Sequence, residues 1–338
     1  MSDLPRPPRV ALVHGPTPIV KRPALDALLG VDLWIKRDDA TGGAEAGNKV
    51  RKLELLLGDA LARGSDTVIT CGGLQSNHAR ATALACASLG LGCVLLLRVK
   101  EPGTTPLPRD GNVLLDRLAG AEVRLVSHHE YAMRGAVMES VAAELRQRGK
   151  RPYVIPEGGS NGLGSLGYVA CMQEVRDQVR AGLAGARAPF DVIVHACGSG
   201  GTAAGVALGA ARHEVAGSVR AMAVCDDAAY FEGAIARIVG EARAWDSSLG
   251  APARLVVDDT AKGPAYAVST PEQRATIVSV ARSSGLVLDP VYTGKAMHGL
   301  KQAVERGDIA RGARVLFLHT GGLPGLLAQG DAFAEELP

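Results

Sequence analysis

Aromatic side chains are scarce in this sequence, at 4% of 338 residues, which leaves no stacking platform for single-stranded nucleic acid. Charge of one sign is lacking too. Lys and Arg number 37 against 35 Asp and Glu, a formal +2, so there is no net field for gripping a polyanion. No apolar run is long enough to span a bilayer, and the opening MSDLPRPPRV has no apolar leader core. A cytoplasmic protein with neither membrane nor nucleic-acid partner is therefore expected. The six cysteines, Cys71, Cys86, Cys93, Cys171, Cys197 and Cys225, form no CxxC pair, and the eight histidines show no ligand spacing. Buried reduced thiols are expected, with no disulfide framework and no metal site.

What is present is a well-packed globular composition: 47% hydrophobic, 21% charged, and 42 glycines. A chain of this length exceeds one small core, so two domains are expected. RVALV, DLWIK, DTVIT, CVLLLRV, EVRLV, PYVIP, DVIVHA, VRAMAV, RLVVDD and RVLFLHT read as strands, with alanine-rich helical runs between them. Near-continuous apolar strands alternating with helices mean an α/β fold with mainly parallel sheets. Residues 100–112, KEPGTTPLPRDGN, read as a surface loop.

In such sheets ligand sites form where strands hand over to helices. AEAGNKVRKLELLLGDAL, residues 44–61, puts Lys49 at such a helix start. Val50, Leu53, Leu56, Leu57, Ala60 and Leu61 define an apolar arc about 140° wide, with Lys49 inside it, roughly 50° from its centre. Arg51 and Lys52 fall outside, at about 150° and 110°. Lys49 is thus either a snorkelling side chain or an amine desolvated for chemistry.

Three junctions decide between these. In VIVHACGSGGTAAG, Gly198, Ser199, Gly200, Gly201 and Thr202 lie between a strand and a helix, a phosphate cradle of backbone N–H groups and a helix N-terminus. Gly198, Gly200 and Ala203 also fit G-x-G-x-x-A, and Asp226 and Asp227 lie at a later strand end, so a nicotinamide-dependent oxidoreductase stays open as a rival. In CGGLQSNHAR, Ser76, Asn77 and His78 open a helix in a way that suits a carboxylate; plain N-capping is the alternative. His319 to Gly322 close the last strand with a hydroxyl, Thr320. Tyr292, in LDPVYTGK, precedes a helix and can exchange a proton.

GNKVRKLE, QSNHAR, CGSGGT, LDPVYTGK and HTGG, in this order, resemble the D-cysteine desulfhydrase and 1-aminocyclopropane-1-carboxylate deaminase family of fold-type II pyridoxal phosphate enzymes. The likeness runs over nearly the whole chain and includes the early PTPIVKRPALDALLG and LWIKRDD.

The resemblance implies two open twisted, mainly parallel sheets flanked by helices, as in the tryptophan synthase β fold. It implies a small domain at 47–162 over a large cofactor-binding domain made of 1–46 and 163–338, and a homodimer. Lys49 would bond pyridoxal 5'-phosphate covalently, with Gly198 to Thr202 on its phosphate, Asn77 on its ring hydroxyl and Thr320 at its ring nitrogen. Ser76, Asn77, His78 and Thr293 would face a small amino-acid substrate, while Lys49, Ser76, Tyr266 and Tyr292 act on it. Three residues depart from the family pattern. Thr293 stands where the deaminase branch has glutamate, Ala81 where desulfhydrases have glutamine, and Ala46 where a glycine is usual. The expected reaction is α,β-elimination, with D-cysteine giving pyruvate, sulfide and ammonia. L-cysteate, serine and β-chloroalanine are the next substrates, and the cyclopropane amino acid follows. A catalytically idle binding relative would keep the cofactor loops but not Lys49, Ser76 and Tyr292 together.

Overall fold

The computed structural model describes residues 7–186 and 189–337. Ten strands lie among them: β1 (Ile19–Lys21), β2 (Asp32–Lys36), β3 (Thr67–Gly73), β4 (Gly92–Arg98), β5 (Glu122–Val126), β6 (Pro152–Val154), β7 (Phe190–Cys197), β8 (Ala216–Ala223), β9 (Arg254–Asp258) and β10 (Arg314–Leu318). The helices are α1 (Pro23–Leu29), α2 (Asn48–Ala62), α3 (Asn77–Ser88), α4 (Gly111–Leu118), α5 (His128–Ala132), α6 (Arg134–Gln147), α7 (Gly162–Arg180), α8 (Gly201–His213), α9 (Ala228–Trp245), α10 (Pro271–Ser284), α11 (Thr293–Glu305) and α12 (Leu323–Leu327).

The strands form two sheets, ordered β1-β2-β10-β7-β8-β9 and β5-β4-β3-β6. Every pairing is parallel except β1 with β2. Helices cover both faces, which is why β3 is buried at every position, its two threonines included. The four-stranded sheet draws only on strands between Thr67 and Val154; the larger sheet takes the strands before and after. Of the segments expected in the large domain, residues 1–6, 187, 188 and 338 lie outside the described residues.

Two expectations are corrected. RVALV, residues 9–13, is not a strand. Its backbone donors go to α2 instead: Leu12 and Val13 each donate to Glu54 Oε1 at 3.0 Å, and Val10 donates to the Glu54 carbonyl. The α2 cations expected outside the apolar arc are buried as well, Arg51 at 4% exposure and Lys52 at 1%. The helix lies in the seam between the two sheets, packed on α7 and on α3, so it has no solvent face for most of its length.

Arg51 can be buried there because acids meet it. Its guanidinium donates to both Asp38 oxygens at 2.8 Å and to Glu174 at 3.1 Å, and Glu174 also pairs with Lys36. Thr17 and Tyr168 hydroxyls add hydrogen bonds to Asp38 at 2.8 and 2.7 Å. Burial alone would raise the Asp38 pKa; Arg51 overrides it and holds the carboxyl below its ordinary value. The helix that carries Lys49 is thereby fastened to the larger sheet's side of the molecule.

Candidate active site

The C-terminal ends of β3, β4, β7 and β10, with the segment after β8, surround a cavity of about 860 Å³, at the upper end for a small-molecule site. Lys49 lies in its wall, one residue into α2. The turn before it needs glycine. Gly47 has φ 130°, and a Cβ there would stand 3.0 Å from the Thr320 carbonyl. That same carbonyl accepts from Asn48 N at 3.1 Å, so the end of β10 fixes the start of α2. Lys49 Nζ donates to Asn48 Oδ1 at 2.9 Å and lies 5.7 Å from the Tyr292 ring centroid. Burial, then the Arg80 charge, lowers its pKa to about 8, so about a tenth of the amine is free at pH 7, far more than for an ordinary lysine.

The loop between β7 and α8 forms one end of the cavity. Gly200 turns it with φ 83°, aiming the N-terminus of α8 inward. Gly198, Ser199, Gly200 and Thr202 line the cavity. Gly201 does not; its N–H donates to Ser160 Oγ at 3.3 Å. Asn48 Nδ2 donates to Thr202 Oγ1 at 3.1 Å, linking the lysine turn to this loop. Beneath it lies a residue the sequence reading missed. Lys52 Nζ donates to the Gly158 carbonyl at 3.1 Å and to Ser160 Oγ at 3.2 Å, and no carboxylate pairs with it among the described residues. Its Nζ sits 2.9 Å from the point where a Gly201 Cβ would be. Burial, then Lys49, pushes its pKa well below the ordinary value. A buried ammonium without a counter-ion, next to a helix N-terminus and the Ser160, Ser199 and Thr202 hydroxyls, is a site that calls for an anion.

At the second junction Ser76 caps α3, its Oγ accepting from Ala79 N at 3.2 Å, so the capping role holds while the residue also lines the cavity. Asn77 Oδ1 is buried without a partner. His78 Nε2 lies 2.9 Å from Thr70 Oγ1, whose own proton goes to the Ile155 carbonyl at 2.9 Å. Nε2 is therefore the protonated nitrogen and Nδ1 a bare acceptor. Burial, then Lys49 and Lys52, keeps this imidazole neutral, so it brings no positive charge to a carboxylate.

Tyr266 and Tyr292 meet across the cavity with their hydroxyls 2.8 Å apart. Burial raises the Tyr266 pKa to about 12 and pushes that of Tyr292 well above its ordinary value, with Tyr266 adding to the second shift. Both phenols stay protonated. Asp289 aims Tyr292, accepting from the N–H groups of Val291, Tyr292 and Thr293. Thr293 does not reach the cavity. It is fully buried and donates its hydroxyl to Asp289 Oδ1 at 2.7 Å, which corrects its expected place beside the substrate. Thr320 lines the cavity at the end of β10.

Besides Lys52, the reading missed Ser160, Glu157, Arg98 and a cavity position for His128. For Lys52 a signal existed: the i, i+3 spacing from Lys49 puts both on one helix face, a turn apart. Glu157 and Ser160 sit in a short Gly-rich connection with no periodicity to read.

A family model described as "Pyridoxal-phosphate dependent enzyme" matches residues 10–321. The chain is 42% identical to the mitochondrial bifunctional D-cysteine desulfhydrase/1-aminocyclopropane-1-carboxylate deaminase of Arabidopsis thaliana, over 96% of this chain and 80% of that one. It is 44% identical to a provisionally named 1-aminocyclopropane-1-carboxylate deaminase of Pyrococcus abyssi, over 99% and 97% of the two chains. A crystal structure of an ACC deaminase homologue superposes with a TM-score of 0.86 at 38% identity, covering 98% of this chain and 97% of the other.

Proposed function

This chain belongs to the pyridoxal-phosphate dependent enzyme family, as a deaminase or lyase of the 1-aminocyclopropane-1-carboxylate deaminase and D-cysteine desulfhydrase type, and we propose that its reaction is α,β-elimination from a small amino acid, D-cysteine first. The observation that carries this reading is the pairing of one amine lowered to about 8, Lys49, with two phenols held protonated, Tyr266 and Tyr292, in one cavity. These are a base and its complementary acids.

The residues fit the cofactor. Lys52 and the α8 N-terminus supply the positive end that a phosphate needs, with Ser199 and Thr202 hydroxyls beside it. Asn77, with its unpartnered Oδ1, suits a ring hydroxyl, and Thr320 would present its own hydroxyl to the ring nitrogen. Lys49 has the reach and the free amine to bond the aldehyde. When bound, pyridoxal phosphate draws the electrons of the substrate Cα into its ring.

In this reading the start of α3, with Ser76 as its cap, holds the substrate carboxylate by helix dipole and backbone N–H groups. Lys49 takes the Cα proton. The Tyr266–Tyr292 pair gives a proton to the departing sulfur, and each phenol keeps the other oriented. The 2-aminoacrylate released takes up water and becomes pyruvate and ammonia. Thr293, which spends its hydroxyl on Asp289, brings no carboxylate of its own to the place where the deaminase branch has glutamate for opening a cyclopropane ring. Residues 47–162 would form a small domain that packs over the rest. A homodimer in the cytoplasm belongs to the same reading; no helix among the described residues is long and apolar enough to cross a membrane.

A second reading, deamination of the cyclopropane amino acid, draws on the names of the two relatives. The test is to give the cofactor-loaded enzyme D-cysteine, L-cysteine, L-cysteate and the cyclopropane amino acid separately. Pyruvate with sulfide from D-cysteine, outpacing 2-oxobutanoate from the cyclopropane, is expected. 2-Oxobutanoate without pyruvate would transfer the assignment to the second reading.

A further inference from the structure

The cavity contains one guanidinium with no acid of its own. Arg98 ends β4, in register with Gly73 of β3, and lines the cavity. Its guanidinium carbon lies 4.8 Å from the Tyr131 ring centroid and 5.6 Å from that of Tyr266. Among the described residues no carboxylate pairs with it and no hydrogen bond engages it. The other arginines of the cavity wall are paired, Arg134 with Glu157 at 3.0 Å and Arg237 with Glu241. Glu157 is further occupied by the Tyr131 hydroxyl at 2.6 Å, and Asp226 accepts from the Cys225 thiol at 3.1 Å.

Two aromatic rings therefore flank the Arg98 guanidinium, and its N–H groups remain for an anion. Bidentate guanidinium contacts suit planar or tetrahedral oxyanions. Through Tyr266 the group adjoins the hydroxyl pair that faces Lys49. It lies on a different strand from the α3 start, where the substrate carboxylate is already provided for.

Building on the elimination reading, we propose that Arg98 receives the negative charge of the substrate's β-substituent, so that the enzyme accepts amino acids whose β-group carries or leaves with negative charge, a sulfonate as well as a thiol. In the step itself the Cα–H pair becomes the Cα=Cβ bond, and the proton goes to Lys49. The Cβ–S pair departs on sulfur beside the guanidinium, as sulfite or as hydrosulfide, and the hydrosulfide then takes the proton of the Tyr266–Tyr292 pair.

The test compares cofactor-loaded wild type, Arg98→Gln and Arg98→Lys on cysteate, D-cysteine and the cyclopropane amino acid. Arg98→Gln is expected to lose kcat/KM on cysteate at least tenfold more than on D-cysteine, and least on the cyclopropane, which expels no anion. Arg98→Lys, which keeps the charge but not the fork, should recover part of the cysteate rate. Methanesulfonate, run against equal sodium chloride, should inhibit wild type competitively, with a Ki at least fivefold higher in Arg98→Gln. Should Arg98→Gln fail to take up cofactor, Arg98→Lys carries the comparison. Equal losses on all three substrates with the cofactor's visible absorbance intact would overturn the proposal, leaving Arg98 a stacking residue. Wild-type turnover of D-cysteine but not of cysteate would overturn it too, with elimination still standing. No pyruvate from any substrate would sink the elimination reading itself.

Discussion

Replacing Lys52 by methionine separates two roles of one buried charge. In the cofactor-free protein the ammonium is 1% exposed and has only the Gly158 carbonyl and Ser160 hydroxyl for company. Burying it costs several kcal/mol, against at most about 1–3 kcal/mol for the bond lost at the Gly158 carbonyl in the variant, where Ser160 Oγ still donates at 3.4 Å. The cofactor-free Lys52→Met protein should therefore be at least as stable as wild type. With a phosphate in the cradle the balance reverses. Truncating one partner of a buried charge pair costs about 2–5 kcal/mol, and the amides and hydroxyls that stay behind put this case near 3 kcal/mol. That is roughly a hundredfold weaker binding.

The assay is a titration of cofactor-free protein by absorbance, run with pyridoxal phosphate and with pyridoxal, plus thermal melts at fixed cofactor excess. The variant should lose about a hundredfold for the phosphorylated compound and little for pyridoxal. The pH dependence has a definite sign. The Lys52 pKa is lowered in the folded state, so the unfolded chain binds more protons just below its ordinary lysine pKa. Stability of the cofactor-free protein then rises with pH in that window, and the variant loses this rise. Equal weakening for both compounds, or unchanged affinity for pyridoxal phosphate, would refute the electrostatic reasoning.

Lys49, with a pKa of about 8 in the cofactor-free protein, should capture pyridoxal phosphate about tenfold faster per pH unit below that value and level off above it; stopped-flow absorbance would show the break, and a midpoint above 10 would contradict the desolvation account. Asp38→Asn removes the acid that neutralises Arg51 and should cost about 3–5 kcal/mol by urea unfolding. Because the folded pKa of Asp38 lies below the unfolded value, its contribution is present above the unfolded pKa and fades as pH falls through the folded one, so the variant should lose that part of the acid sensitivity. Tyr266→Phe and Tyr292→Phe should each lower kcat by about a hundredfold or more while the cofactor absorbance stays; a change confined to KM would mean the pair only binds.

Much of this was legible beforehand because buried parallel strands write themselves as continuous apolar runs, and nine of the ten runs read as strands do contain one. RVALV misled because its apolar residues pack along α2, with Glu54 capturing the backbone donors that a neighbouring strand would otherwise take. β1, three residues long, is too short to show a pattern. Lys49, Ser76, Asn77, Tyr292 and Thr320, singled out at the junctions, line one cavity, since turn glycines and helix starts are local; Tyr266, which lines it too, is named only by the family resemblance. Side-chain direction is not local. Arg51 and Lys52 look solvated on a helical wheel that assumes one buried face, whereas α2 is enclosed nearly all round. Thr293 looks free until Asp289 takes its hydroxyl. Arg98 reads as a polar strand end, and only the fold shows the two rings it lies between.

Three lysines sit in buried or half-buried places near the cavity: Lys49 in its wall, Lys52 beneath the cradle, and Lys295 bonded to the Val224, Lys262 and Ala265 carbonyls. Borohydride reduction of the cofactor-loaded enzyme followed by peptide mass mapping tells them apart. The phosphopyridoxyl mass should lie on Lys49 alone; finding it on Lys52 or Lys295, or on no lysine at all, would contradict the account.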